Sequence, residues 1–404
     1  MKPIVSVCRC EDRDFKAVLK GLLKPFGGVE RFVKKGERVL VKPNVNIATS
    51  KPGVNTNPRV VEALINLLNE GGAGEVAIGE GSGVESITGE SLKEAGYQEV
   101  AASTGANLIN FDEAVKMRVP IPNGRVLKDL EVPKPLLEYD ALVNVPVLKT
   151  NICTVITASV KNLLGIASRK YKVKAHLAGL SEALADIHKV VKPRLNVLDA
   201  TTCMEGLGPI SGDPRRVDML LAGDQAVALD SAAATMIGAN PWEIRHLRFA
   251  HEDGLGTVNM GEIDVVGVDI EKEKLGFHLP PRTPPTFPGV KLMLGENCGD
   301  CIGAYAVALT RMEKRGLLNA LKGTTVVIGR NITPPRGRFI AIGRCSESLK
   351  DSALCYVPGC PPTGLLIGDL VKLSLGVDKH PSRYLEIWTE LIRKIECESA
   401  RENG

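Results

Sequence analysis

Short runs of aliphatic and β-branched residues recur along this chain, each ending in a turn and leading into an amphipathic stretch: RVLVKPN (38–44), EVAIGEG (75–81), ALVNVPVL (141–148), RLNVLDA (194–200) and DMLLAGD (218–224). That alternation reads as repeated βαβ units. The intervening segments PRVVEALINLLNEG (58–71), LAGLSEALADIHKVV (177–191) and DSAAATMIGA (230–239) are expected helices, with Pro58 just inside a start and Gly71 at an end. Aromatic residues make up only 4%, so the core must come from Val, Leu, Ile and Ala, the mix of strands buried on both faces. The expected class is α/β: an open, mostly parallel sheet with helices on both faces and functional groups at the carboxyl ends of its strands, plus a smaller C-terminal cysteine-rich α/β domain.

The stretch HLPPRTPPTFPGV (278–290) interrupts the rhythm, because residues before proline are pushed to extended conformations. The expected domains are therefore 1–277, an α/β anion- and substrate-binding domain, a linker over 278–290, and a cysteine-rich domain over 291–404. Beyond the linker come CGDCIG, a helix over 304–323, the strands TTVVIGRN and RFIAIGRC, and CYVPGCPPTG. Lys and Arg number 51 against 47 Asp and Glu, a formal charge of +4, too small to point to nucleic acid. No apolar run is long enough for a membrane span, and the start MKPIVSVCRC lacks a signal peptide's apolar region, so a cytoplasmic protein is expected.

In a reducing compartment ten cysteines are poor candidates for disulfides, and five of them fall between Cys298 and Cys360. Cys298 and Cys301 form C-x-x-C, a spacing from which two thiolates can meet one metal or cluster. Cys345 ends a strand, and Cys360 sits in a Pro-Gly-Cys-Pro-Pro turn. These four form the expected ligand set, with Cys355 as an alternative to one of them. The expected cofactor is a 4Fe-4S cluster; a structural Zn and unconnected core thiols are the alternatives. A zinc ribbon usually pairs two C-x-x-C knuckles, whereas here one meets two dispersed cysteines. Cys153 and Cys203 read as packed thiols.

A second constellation suggests an anion. Lys42 and Asn44 follow the strand RVLV, and GEGSG (79–83) offers Gly81 and Gly83 in a loop that reads either as an anion cradle or as a plain tight turn. The segment 145–176 contains Lys149, Asn151, Lys161, Asn162 and His176. Lys149 closes an apolar strand and Lys161 interrupts an apolar run, so each requires a partner. Lys170, Lys172 and Lys174 read as a wet basic loop. His176 is a candidate general acid or base, Asp199 and Glu205 are carboxylates at or after a strand end, and Asp230 reads as a helix N-cap.

VKPN (41–44), VPVLKTN and SVKNLLG (145–151 and 159–165), LDATTCMEGLGPISGDPR (198–215) and LLAGDQAVALDSAAATMIG (220–238) together resemble the domain of unknown function 362 family over roughly residues 1–260. The resemblance implies no settled reaction, but members often carry iron–sulfur modules or cysteine-rich extensions. The family commonly has His after the Lys-Thr pair, where this chain has Asn151. The expected function is an iron–sulfur oxidoreductase acting on a small anionic substrate. Lys42, Asn44, Gly81, Gly83, Asn151, Asn162 and Asp199 would bind it, and Lys149, Lys161, His176 and Glu205 would serve catalysis. The alternatives are a cluster-dependent lyase or isomerase with an open iron, and a non-enzymatic scaffold. An electron-transfer protein and a second copy of the chain are the expected partners; nucleic acid and membrane are not.

Overall fold

The computed structural model describes residues 2–12 and 14–402. Two compact units emerge: one of residues 1–150, 156–171 and 181–279, the other of 151–155, 172–180 and 280–404. The largest piece of the second unit begins at Pro280, and this unit also takes two short pieces from within 1–277, which no composition shift announces.

In the first unit a ten-stranded sheet carries the strands in the order Asp264–Gly267, Ile4–Arg9, Asp213–Gly223, Leu195–Glu205, Ala141–Val145, Arg38–Pro43, Glu75–Glu80, Asn107–Asn110, with Val147–Asn151 and Val155–Thr157 branching off. Along that main path only Asp213–Gly223 runs against its neighbours. Arg38–Pro43 and Ala141–Val145 are buried from Val39 and Ala141 onward, as central parallel strands are. Val39, Val41, Val143 and Val197 face a core with Leu19, Leu22, Leu64 and Leu68 of the helices Phe15–Leu23 and Pro58–Glu70. By the period of two, Leu40, Leu142 and Leu198 face the other side, where the helices Ser159–Asn162 and Ala226–Met236 pack. Pro58 opens its helix as expected, and Asn57 caps it by accepting from the Arg59 N–H at 3.1 Å.

The chain moves outward from Arg38–Pro43 to Glu75–Glu80 and Asn107–Asn110, then returns to lay Ala141–Val145 on the other flank of Arg38–Pro43. The strand order therefore reverses between these two strands, with Lys42 beside Asn144. Open α/β sheets hold ligands at such a switch point, outside the carboxyl ends.

The second unit has a smaller parallel sheet in chain order: Lys291–Leu294, Thr324–Ile328, Arg338–Ile342 and Cys355–Val357. The helices Asp300–Lys314, Gly364–Ser374 and Arg383–Glu402 accompany it.

Two expectations need correction. The helix over 177–191 is broken at Gly179, whose φ of +137° separates Arg169–Ala178 from Leu180–Val190. Lys170, Lys172 and Lys174 are not in a wet loop but on Arg169–Ala178; Lys172 is only 4% exposed, and Lys170 pairs with Glu131 at 2.7 Å.

Candidate functional site

At the switch point of the first unit, Lys42 is fully buried and its Nζ lies 2.9 Å from Glu80 Oε1. It also donates to Asn162 Oδ1 at 3.3 Å and to the Pro43 carbonyl at 3.1 Å. Burial pushes this ammonium below its ordinary value while Glu80 pulls it back up. Glu80 accepts in turn from the Val45 and Gly81 amides at 2.9 and 2.8 Å. Gly165 closes over the pair: a Cβ there would sit 2.3 Å from Glu80 Oε1 and 2.7 Å from Lys42 Nζ. Lys42 is thus half of a buried ion pair, in place of the ligand-facing role expected for it.

Lys149 is 1% exposed, and its Nζ donates to two neutral oxygens, Asn44 Oδ1 at 2.5 Å and the Val54 carbonyl at 2.6 Å. From it runs a head-to-tail chain of amides. Asn44 Nδ2 donates to Asn162 Oδ1 at 2.9 Å, Asn162 Nδ2 to Asn144 Oδ1 at 2.8 Å, Asn144 Nδ2 to Asn196 Oδ1 at 2.9 Å, and Asn196 Nδ2 to the Gly223 carbonyl at 3.3 Å. The direction is forced, because an ammonium can only donate and a carbonyl can only accept. Burial, then Lys161 and Lys42 against the single carboxylate Glu80, lowers Lys149 to about 7.

The remaining first-unit candidates have local structural partners. Asp199, 1% exposed, accepts from the Asn57 amide at 2.8 Å and the Thr201 hydroxyl at 2.7 Å. Burial nevertheless raises its carboxyl. Glu205 is bridged to Arg215 at 2.9 Å; burial opposes its ionisation, but Arg215 and the His278 amide hold it below its usual range. In GEGSG the amides of Gly81, Ser82 and Gly83 go to Glu80, Thr88 Oγ1 and the Asn46 carbonyl. The amides of this loop that an anion cradle would need are thus already taken up within the protein. Asp230 caps another element than its own, accepting from the amides of Ser159 and Val160 at 2.7 and 2.8 Å, and burial raises it to about 7. Lys161 lies half-buried on Ser159–Asn162.

Asn151 and His176 fall in the second unit. Asn151 Oδ1 accepts from the Cys153 amide at 3.0 Å, and the 151–155 segment packs so closely that a Cβ on Gly303 would lie 2.4 Å from the Ile152 carbonyl. His176 Nδ1 lies 3.2 Å from the Pro361 carbonyl, and its ring packs edge-on against Trp388.

The cysteines of this unit follow strand ends. Cys298 comes after Lys291–Leu294, Cys345 after Arg338–Ile342 and Cys360 after Cys355–Val357, while Cys301 lies in the first turn of Asp300–Lys314. Gly343, with φ +84°, marks where two loops meet the first turn of Asp300–Lys314: a Cβ there would lie 2.8 Å from Cys301 Sγ and 3.5 Å from the Gly359 carbonyl. Burial, then Cys298, Cys360, Asp300 and Cys345, pushes the Cys301 thiol well above its ordinary range. Cys355 is absent from that group; it is buried on its strand and hydrogen-bonded to Ser374. Among the described residues no three His, Cys, Asp or Glu side chains stand close enough to hold a single metal ion.

Several ties fix these loops. Arg282 of the Pro-rich stretch bonds the buried Asp300 carboxylate at 2.8 Å, between the two cysteines of C-x-x-C. The Cys360 amide donates to the His176 carbonyl at 2.6 Å, and the Cys360 carbonyl accepts from Leu180 at 2.8 Å. Sequence reasoning missed Glu80, Gly165 and Gly343. Glu80 stood inside a motif read only for its glycines, and the two glycines show their purpose only when a neighbouring side chain is in place.

A family profile, "Domain of unknown function (DUF362)", matches residues 39–235. The thylakoid-associated protein sll1697 of Synechocystis sp. is 32% identical over 239 residues, 56% of this chain and 70% of that protein. Among solved structures, a Thermotoga maritima protein overlaps 81% of this chain and 72% of its own at 16% identity and a TM-score of 0.38. The lactate racemase apoprotein of Thermoanaerobacterium thermosaccharolyticum overlaps 81% and 69% at 13% identity and a TM-score of 0.37. At those scores the fold rests on the topology described above. No helix among the described residues is long and apolar enough to cross a membrane.

Proposed function

The chain belongs to the DUF362 family, and from that premise we propose that it is an iron–sulfur protein, a redox enzyme whose first unit receives a small anionic substrate at Lys149. The C-x-x-C of Cys298 and Cys301, with Cys345 and Cys360 following two neighbouring strands of the same parallel sheet and Cys301 Sγ close to Gly343, carries the first part. Those residues would hold one four-iron cluster; such a group, held by four thiolates, supplies one-electron transfer. A zinc ribbon usually pairs two C-x-x-C knuckles, whereas here one C-x-x-C is joined by two dispersed cysteines, which favours the cluster over a single zinc. A cationic group at the site would also favour the thiolate of Cys301, whose ionisation is opposed first by burial and then by the neighbouring thiols and Asp300.

The chain's own contribution is placement. The Arg282–Asp300 pair holds the C-x-x-C turn, the bare Gly343 leaves room for Cys301 Sγ, and the carbonyl of His176 fixes the Cys360 amide. His176 is thereby a positioning residue in this reading. In the first unit, Lys42 is already matched by Glu80, whereas the hydrogen bonds of Lys149 go only to neutral oxygens. A carboxylate or phosphate there would supply the charge that a buried lysine requires.

Visible and EPR spectra of anaerobically purified protein, oxidised and dithionite-reduced, test the cluster. Ser at Cys298, Cys301, Cys345 or Cys360 should diminish them, and Cys355→Ser should not. Full spectra from Cys360→Ser with loss from Cys355→Ser would overturn the ligand set. Calorimetric titration with acetate, pyruvate and phosphate tests the substrate reading: Lys149→Met should abolish the binding that the exposed-site variant Lys35→Met retains. Equal binding by both would overturn it.

A further inference from the structure

Within the second unit, a cleft of about 280 Å³ lies among Tyr356, Leu366, Leu370, Leu385, Trp388 and Ile392. Aliphatic side chains and two aromatic ones make up most of its walls, with Arg393 and Glu396 as charged wall residues, a lining that suits a flat, mostly apolar ring carrying polar substituents. Trp388 is 1% exposed, and its indole Nε1 has no acceptor among the described residues. A buried donor without an acceptor costs about 1–3 kcal/mol, so the wall lacks one acceptor oxygen or nitrogen. Thr389, also lining the cleft, adds a hydroxyl.

The position of the cleft narrows the occupant further. Tyr356 lines it and also belongs to the cysteine neighbourhood: burial first, then Glu347, Cys301 and Cys345, against Arg344, raise its phenol. From Tyr356 the chain runs through Pro358, another wall residue, to Gly359 and Cys360. Trp388 in turn packs on His176, whose Nδ1 meets the Pro361 carbonyl. Tyr356 thus belongs to the cleft wall, and the strand that carries it leads through Pro358 to Cys360.

We propose that this cleft binds a small quinone, stacked against Tyr356 and Trp388, with a ring carbonyl accepting from Trp388 Nε1. A quinone is flat and apolar, carries acceptors on its ring, and exchanges electrons, which is what a ligand this near a cluster is suited to do. Its redox role rests on the cluster reading above; its binding does not.

The chain has two tryptophans, so in a Trp242→Phe background Trp388 is the sole indole. Duroquinone is the probe, because its four methyl groups leave no ring position for a cysteine to attack. It should quench Trp388 emission to saturation, and Thr389→Phe in the same background, filling the cleft, should weaken that binding at least tenfold. Linear quenching unchanged by Thr389→Phe would overturn the site. Equilibrium dialysis should show about tenfold weaker binding to Trp388→Phe, the loss of one hydrogen bond; equal binding would remove Nε1 from the site. Iron analysis of the same samples separates the two claims. Binding without iron keeps the site and removes its redox role, whereas iron without saturable binding overturns this inference and leaves the cluster reading standing.

Discussion

At the end of Arg38–Pro43 the buried Lys42 ammonium finds Glu80, Asn162 and Pro43 as acceptors within 3.3 Å, whereas in the second unit burial first, and then the neighbouring Cys298, Cys360 and Cys345, oppose ionisation of Cys301. Both places follow the same rule of parallel sheets, which puts loops and functional groups at the carboxyl edge. The first has been completed from within, down to a glycine that leaves space for the ion pair. The second concentrates groups whose charged forms need a cation. A satisfied buried network specifies structure, while the cysteines that follow the second unit's strands are where the proposed cluster would be held.

Breaking the second region should have the largest effect. Cys301→Ser removes the thiol around which the others gather, and iron content should fall to background by elemental analysis. Retention of full iron would show that the grouping around Gly343 is only packing.

In the first region the effects should appear in stability. Lys42→Ala leaves the Glu80 carboxylate buried without its counter-charge, a loss of about 3–5 kcal/mol; urea unfolding of the first unit's transition measures it. The double variant Lys42→Met/Glu80→Leu should recover most of that loss. Gly165→Ala forces a methyl to within 2.7 Å of both charged groups, and overpacking of this kind costs about 1–3 kcal/mol. Wild-type stability in Gly165→Ala would mean that the pair has room to move.

Lys149 gives a pH test. Its folded value, about 7, lies below its ordinary 10.5, so the unfolded chain binds the extra proton between those values. The destabilising contribution is full below pH 7 and is relieved as pH rises toward 10.5, with a slope of at most about 1.4 kcal/mol per pH unit. Lys149→Met should remove that slope from urea unfolding across pH 7 to 10; an unchanged slope would place its origin elsewhere. The smallest effect is expected at Cys355, where Ser should leave iron content and reduced-state spectra unchanged.

The central strands of both sheets were legible because aliphatic runs ending in turns have few other uses, whereas Asn107–Asn110, Asp264–Gly267 and Lys291–Leu294 are short four-residue strands at the sheet edges and were not. The C-x-x-C pair was legible because its spacing is local. The choice between Cys355 and Cys360 was not, since it depends on which residue lies within a strand and which beyond its end. Nor was the Lys42–Glu80 pair, whose members are 38 positions apart and meet only because their strands are neighbours. Lys170, Lys172 and Lys174 misled for a related reason. Alternate residues turn through most of a helix circumference, so one lysine is carried inward while its neighbours stay nearer the surface. Gly179, read as one more residue of a helix, adopts a φ that a helix does not allow.

The most direct measurement is the iron and acid-labile sulfide content of the full chain purified without oxygen. A four-iron cluster on Cys298, Cys301, Cys345 and Cys360 requires about four irons and about four sulfides per chain. One zinc per chain without sulfide would contradict it.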